Sequence, residues 1–245
     1  MPLGQQIPLN IHLNDEATFD NFFVTADSSN ALLVKAIRDL SGARTSETFV
    51  YLWGGSRAGR TGLSHLLQAS CHEVQRSGGQ AQYLPLGEVA GFAPLELLEG
   101  LEHQDLLSLD GLEQVVGRPE WDEALFHLYN RVQLQGHRLL VSASSPPREI
   151  RTSLPDLTSR LSWGLTYRLE PLSDAEKQQA LQQRAILRGL EMSDEVAQFI
   201  LNHSARETKQ LFACLDLLDS RSLAEKRKLT IPFIKSFLLQ ERLGL

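Results

Sequence analysis

Two patterns of apolar residues alternate through the first two thirds of the chain. Short, nearly continuous apolar runs predict buried strands: Thr48-Phe49-Val50-Tyr51-Leu52-Trp53, Ala81-Gln82-Tyr83-Leu84 ending at Pro85, Asp105 to Leu109, Leu139-Leu140-Val141-Ser142, and Leu165 to Leu169. Segments with helical spacing lie between them. Ala31, Leu32, Leu33, Val34, Ala36, Ile37 and Leu40 form one such face, capped by Asp27 or Ser28. Leu63, Leu66, Leu67 and Val74 form a second, and Leu95 to Leu101, Trp121 to Gln135 and about Leu154 to Leu161 supply three more. Strands alternating with helices predict an α/β fold with a parallel sheet and right-handed crossovers. After Pro171 the strand pattern stops. Ser173-Asp174-Ala175-Glu176 has the form of a capping box and starts a helix to about Arg188, with Gly189 as its stop. Helical segments follow at about Ser193 to His203, Arg206 to Ala224 and Ile231 to Leu239. The expected organisation is a lead-in over residues 1–17, an α/β domain over 18–171 and a small all-helical lid over 172–245.

Composition narrows this reading. A chain of 245 residues can hold one large α/β domain and a small accessory one, and 42% hydrophobic with 22% charged residues argues against long disorder. The formal charge of −6, from 24 basic against 30 acidic residues, suits a duplex-DNA binder poorly. Cys71 and Cys214 are far apart, each in a helical pattern, and read as small core residues in a reducing compartment. With no basic n-region leading an apolar stretch and no apolar run of bilayer length, a soluble cytoplasmic protein without membrane contact is expected.

The chemistry concentrates where the Thr48–Trp53 strand runs into Gly54-Gly55-Ser56-Arg57-Ala58-Gly59-Arg60-Thr61. This is the G-x-x-x-x-G-K-[ST] spacing of a phosphate loop, with Arg60 at the lysine position. Glycines there let backbone N–H groups turn inward on an anion, and the helix that follows adds its positive end. Thr61 would bring a hydroxyl to Mg²⁺ and Arg60 a charge to the β-phosphate, on a larger, forked side chain than lysine. A register ending Gly62-Leu63-Ser64 would put Arg57 at the upstream glycine, so the Arg60-Thr61 register is preferred. The strand Leu106 to Leu109 ends in Asp110, the place for a carboxylate on the Mg²⁺ side. The bland reading is a Gly-rich βα turn without ligand, and the second, acidic-ended strand argues against it. His65, Cys71 and His72 lack the spacing of a zinc site, and His103, His127, His137 and His203 read as solvated or singly hydrogen-bonded. Ser142 and Ser144 lack a nucleophile elbow, and Lys226-Arg227-Lys228 reads as a solvated helix end or protein contact.

These residues resemble the AAA+ initiator family typified by DnaA, most closely its short regulatory homologues, over nearly the whole chain. Thr18-Phe19-Asp20-Asn21-Phe22-Phe23-Val24 is similar to the adenine-side segment, pointing to Phe19, Phe22 and Phe23. Leu128-Tyr129-Asn130-Arg131, the string from Leu154 to Gly164, and Arg227-Lys228-Leu229-Thr230-Ile231-Pro232-Phe233 are similar to patterns of the short homologues. The resemblance implies an AAA+ phosphate-loop body with a helical lid. It makes Gly54, Gly55, Ala58, Gly59, Arg60, Thr61 and Lys209 nucleotide ligands, with Thr61 and Asp110 beside Mg²⁺. It also makes Arg160 an arginine finger reaching into a neighbouring subunit's site, a device worth ~10³–10⁵ in rate. The plain alternative is a pair between Arg160 and Asp156, one helical turn back. The sequence departs from the family at the sensor positions: Ser144 stands where an aspartate is frequent, and Lys209, with Arg206 as a near competitor, where arginine is usual. AAA+ ATPases usually follow the strand aspartate with a glutamate that polarises water; here Gly111 follows.

Gln6-Ile7-Pro8-Leu9-Asn10-Ile11 is similar to a glutamine-led clamp-binding peptide, in which Gln6 bonds through its amide while Ile7, Leu9 and Ile11 supply apolar contacts. Asn10 stands where proline is frequent. The implied function is negative regulation of replication initiation. The chain would bind ADP, with Mg²⁺ as an accompanying ion, dock on the DNA polymerase III sliding clamp and promote hydrolysis of DnaA-bound ATP. The reading includes no specific duplex-DNA contact and leaves a homo-oligomer open. The competing readings are a self-sufficient AAA+ ATPase such as a helicase loader, and a DNA-binding module.

Overall fold

A computed structural model describes residues 13–54, 61–203, 208–225 and 229–236. Five strands make one sheet: β1 (Phe49–Trp53), β2 (Ala81–Pro85), β3 (Leu106–Asp110), β4 (Arg138–Ala143) and β5 (Leu165–Arg168). They lie in the order β2-β3-β4-β1-β5, every pairing parallel, with Val50 opposite both Leu140 and Leu165. Helices α1 (Ser29–Ser41), α2 (Thr61–Arg76), α3 (Leu86–Val89), α4 (Pro94–Leu97), α5 (Pro119–Leu134) and α6 (Pro155–Leu161) connect and cover the strands.

The period of two along each strand decides which helix covers which face. Phe49, Tyr51, Leu107, Leu109, Leu139 and Val141 point into one core with Trp121, Leu125, Leu128 and Val132 of α5 and Leu157 and Leu161 of α6. Val50, Leu52, Leu106 and Leu140 point the other way, onto Leu33, Ile37 and Leu40 of α1 and Leu63, Leu66, Leu67 and Val74 of α2. Each such leucine, wholly buried, contributes about 1.5–3 kcal/mol of transfer free energy, which is why these strands read as continuous apolar runs. Ser28 caps α1 by accepting the Ala31 N–H at 3.1 Å. The helix expected over Leu95 to Leu101 stops early: α4 ends at Leu97, Gly100 takes a left-handed φ of 81°, and a separate 3₁₀ turn covers Leu101–His103.

Beyond β5 lie α7 (Asp174–Leu187), α8 (Asp194–His203), α9 (Thr208–Glu225) and a further helical stretch at 231–236. Leu181, Ala185, Val196, Ala197, Ile200, Leu211, Leu215, Leu218, Leu229, Phe233 and Ile234 form a third core there. The capping box exists as drawn from sequence, with Ser173 accepting from the Glu176 N–H and the Glu176 carboxylate accepting from the Ser173 N–H. Asn30, buried in α1, holds the link into this helical region through two bonds to the Glu170 backbone, 3.0 Å to its carbonyl and 2.9 Å from its N–H. Among the described residues no helix is long and apolar enough to cross a membrane.

Candidate nucleotide site and arginine finger

Strand order places the carboxyl ends of β1 and β3 on either side of β4, so whatever follows β1 faces the end of β3 across one strand. Such crevices at the carboxyl ends of parallel strands are the usual ligand sites of open α/β sheets. Gly54 leaves β1 with φ 137°, its N–H donating to the Ala143 carbonyl at 3.3 Å. A Cβ on Gly54 would sit 2.5 Å from the Leu169 carbonyl oxygen, so glycine is required there by space as well as by φ. Gly55, Ser56, Arg57, Ala58, Gly59 and Arg60 lie outside the described residues, as does the side chain of Thr61 at the first position of α2.

One turn into α2 a described hydroxyl meets the acid. Ser64 donates to Asp110 Oδ2 at 2.5 Å. Tyr83, in the middle of β2, donates to the same oxygen at 2.7 Å, and Ser142 of β4 donates to Oδ1. Three hydroxyls from three elements thus converge on one carboxylate. Ser142 also accepts the Gly111 N–H at 2.9 Å, tying the residue after the acid to the neighbouring strand. Burial, then the Asp110 charge beside it, pushes the Tyr83 phenol well above its ordinary range, so it remains a donor. Ser64, Tyr83 and Ser142 were all missed as site residues by the motif spacing; Ser64 appeared only as the end of the less favoured register.

The donor set fits Mg²⁺. While its O–H donates to Asp110, the Ser64 oxygen keeps lone pairs that would suit a hard cation, and Ser64 and Asp110 are the described residues that would hold one. Such an ion would supply positive charge to offset that of a bound polyphosphate. Gly111 brings no second carboxylate. The next acid, Glu113, in a 3₁₀ turn, accepts the Ser144 N–H at 3.1 Å. It also adds to the upward shift of the Tyr51 phenol, which burial dominates.

The segment over residues 13–25 crosses α2 and reaches α7. Asn14 donates its N–H to Gln68 Oε1 at 2.8 Å, His72 Nε2 lies 3.0 Å from the Asn14 carbonyl, and His65 Nε2 lies 2.7 Å from the Thr18 carbonyl. Glu16 accepts from Arg184 at 2.8 Å and from Arg188 at 3.1 Å, both on or at the end of α7. His65 and His72, set aside as zinc ligands on their spacing, are therefore fasteners of this strap. Phe19 is buried under it with the Arg38 guanidinium 4.9 Å from its ring. Phe22 and Phe23 are half-buried, and Phe22 converges with Leu169 on Gly62 of α2. Cys71 is buried and Cys214 part-buried, neither in a disulfide, and burial pushes the Cys71 thiol up to about 11.

Arg160 lies in the last turn of α6. Among the described residues it makes no salt bridge, and Asp156 does not pair with it. Its guanidinium instead stands 4.4 Å from the ring centroid of Trp163. Gln6, Ile7, Leu9, Asn10, Ile11, Arg206 and the link 226–228 lie outside the described residues, as does the side chain of Lys209.

Two family models match the chain: the bacterial DnaA ATPase domain over residues 93–168 and the Hda lid domain over residues 174–238. Among solved structures, domain III of the replication initiation protein DnaA from Thermotoga maritima superposes with a TM-score of 0.77 at 19% identity, over 94% of this chain and 98% of that one. AMPPCP-bound DnaA from Aquifex aeolicus gives 0.69 at 21% identity, over 84% of this chain and 66% of its own length. The RuvB Holliday junction branch migration motor of Thermotoga maritima gives 0.60 at 18% identity, over 90% of this chain and 70% of its own. At such identities the likeness is one of fold: a parallel five-stranded sheet of AAA+ type with a helical C-terminal region.

Proposed function

We propose that this chain, an Hda- and DnaA-like AAA+ protein concerned with the control of replication initiation, acts as a negative regulator that completes the ATPase site of DnaA. It binds an adenine nucleotide, ADP by preference, docks on the sliding clamp through Gln6, Ile7, Leu9 and Ile11, and inserts Arg160 beside the phosphates of DnaA-bound ATP. The observation that carries the reading is Arg160, a cation at the end of a helix with no salt bridge among the described residues. An arginine committed to fold stability would be expected to pair locally with Asp156; one that must meet a partner's charge is kept accessible.

The nucleotide site supports the division of labour. Ser64 and Asp110 suit the binding half of a phosphate-loop site, while Gly111 offers no group to polarise water. Hydrolysis then uses the partner's water and the partner's acid, with only the arginine supplied from this chain. Bound nucleotide would fix the body, strap and helical lid together, because Phe22, Leu169 and α2 meet where the strap crosses towards Arg184 and Arg188.

The test is ATP hydrolysis by purified DnaA with and without this protein, DNA-loaded clamp and ADP. Stimulation that needs every component, and that is lost in Arg160→Ala and in Gln6→Ala, is the expected result. Full stimulation by Arg160→Ala refutes the finger. Steady ATP turnover by this chain alone, abolished in Asp110→Asn, would make it a self-sufficient ATPase instead.

A further inference from the structure

Trp163 is the most exposed Phe, Tyr or Trp among the described residues, at 69% of its surface. An indole left in water forfeits the burial that makes tryptophan valuable to a fold, so its position calls for a reason. The backbone around it is fixed on both sides. On one side the Trp163 N–H donates to the Arg160 carbonyl at 3.1 Å, closing the turn that ends α6, while Leu157 and Leu161 anchor that helix in the core. On the other side Gly164 passes so close to β1 that a Cβ there would lie 2.3 Å from the Phe49 ring and 2.5 Å from the Phe49 carbonyl oxygen. Leu165 then pairs opposite Val50. The indole is thus presented from a rigid corner, and what it touches is the Arg160 guanidinium.

We propose that Trp163 is the positioning residue of the arginine finger, holding the Arg160 guanidinium outstretched over its ring until the polyphosphate of a neighbouring subunit's nucleotide captures it. The proposal rests on the finger reading above. A free arginine samples many rotamers and carries a hydration shell. Stacked on an indole it keeps its charge and its forked donors but loses much of that freedom before the encounter. The ring's π face attracts the cation without neutralising it, as a carboxylate would, so the full charge remains for the phosphoryl oxygens. Arg160 acts only on charge that develops during reaction, so loss of its positioning appears in the maximal rate rather than in the concentration of this protein at half-maximal stimulation.

The experiment uses the full chain in the DnaA assay with clamp and ADP, comparing wild type, Arg160→Ala, Trp163→Ala and Trp163→Phe. Trp163→Ala is expected to lower the maximal stimulated rate by roughly 2- to 30-fold, with little change in the half-maximal concentration. Trp163→Phe, which keeps a ring face, is expected to recover most of the rate. In the isolated protein, the difference in indole emission between wild type and Trp163→Phe isolates the Trp163 signal, and Arg160→Ala should change wild-type emission in that component. Full stimulation by Trp163→Ala alongside an inactive Arg160→Ala overturns the positioning role while leaving the finger intact. A Trp163→Phe variant as slow as Trp163→Ala overturns it too, because the indole would then be contacting the partner itself. Emission unaffected by Arg160→Ala removes the stacked pair from solution and the proposal with it. Full stimulation by Arg160→Ala sinks the finger reading first, which the emission result, read on the isolated chain, keeps distinct.

Discussion

Removing one oxygen from Ser142 should destabilise the body more than almost any other single-atom change at the site. Its hydroxyl donates to Asp110 and accepts from Gly111 N–H, and the residue is fully buried. In Ser142→Ala the carboxylate keeps, among the described residues, the Ser64 and Tyr83 donors, both on Oδ2. A hydrogen bond to a charged group is worth about 1.5–3 kcal/mol, and a buried N–H left without a partner costs about 1–3 kcal/mol. Because one oxygen serves both and neighbouring effects overlap, a net loss of about 3–4 kcal/mol is expected. For a domain of this size that lowers the melting temperature by roughly 6–16 °C. The assay is urea and thermal denaturation followed by far-UV circular dichroism, with Ser144→Ala as the control. Its backbone N–H to Glu113 survives the change, so the control should move by less than about 0.5 kcal/mol. The helical region has its own core, so two transitions can appear, and the loss belongs to the one that melts the sheet. A Ser142→Ala protein within about 1 kcal/mol of wild type refutes the carboxylate hub as a source of stability.

Other tests follow from single contacts. Gly164→Ala should cost about 1–3 kcal/mol or more in urea denaturation, because its methyl meets the Phe49 ring and carbonyl oxygen at 2.3 and 2.5 Å; an unchanged midpoint refutes the close approach. Ser28→Ala removes the cap bond to Ala31 and should cost about 1 kcal/mol by the same measurement. Burial, chiefly, holds His65 below its ordinary 6.5, so the unfolded chain binds that proton more readily. Its contribution is present in full above pH 6.5 and is lost as pH falls through the folded value. A His65→Gln protein should therefore show a shallower fall in melting temperature below that pH, and a slope equal to wild type contradicts the assignment. ADP at about 100 times its Kd should raise stability by about 2.7 kcal/mol, and no shift in melting would tell against nucleotide binding.

What could be read from the chain was whatever its local periodicity fixes. The continuous apolar run Phe49, Val50, Tyr51 and Leu52 marked a buried strand, and Ser173 with Glu176 set the start of α7. Gly54 was legible because a phosphate loop needs glycine there, and the Leu169 carbonyl 2.5 Å from its absent Cβ gives the reason in space. Other contacts depend on information that spacing does not carry. Motif spacing names Thr61, whose side chain lies outside the described residues; that Ser64 faces Asp110 depends on where α2 starts and how it is phased. Tyr83 and Ser142 reach the same carboxylate only because β3 lies between β2 and β4, and periodicity identifies strands without ordering them. His65 and His72 look idle in the sequence because their partners are backbone carbonyls of a distant segment.

Strand order also changes the meaning of Gly111. In sequence it is an absence, a position where an acid could have been. In the fold it has φ 81° and ψ 53°, the left-handed region, and its N–H is held by Ser142. A glutamate there would pay about 1–2 kcal/mol for the backbone alone. The backbone would also have to keep the Ser142 bond while the side chain projected from a left-handed position. Restoring an acid would therefore not by itself restore an active site. The same serine that steadies Asp110 holds the next residue in a conformation suited to glycine, so the acid that anchors the site and the missing acid beside it are coupled through one hydroxyl. Under the proposed function, a left-handed Gly111 held by Ser142 favours holding a nucleotide over hydrolysing it, with Arg160 as the group offered to a partner's site.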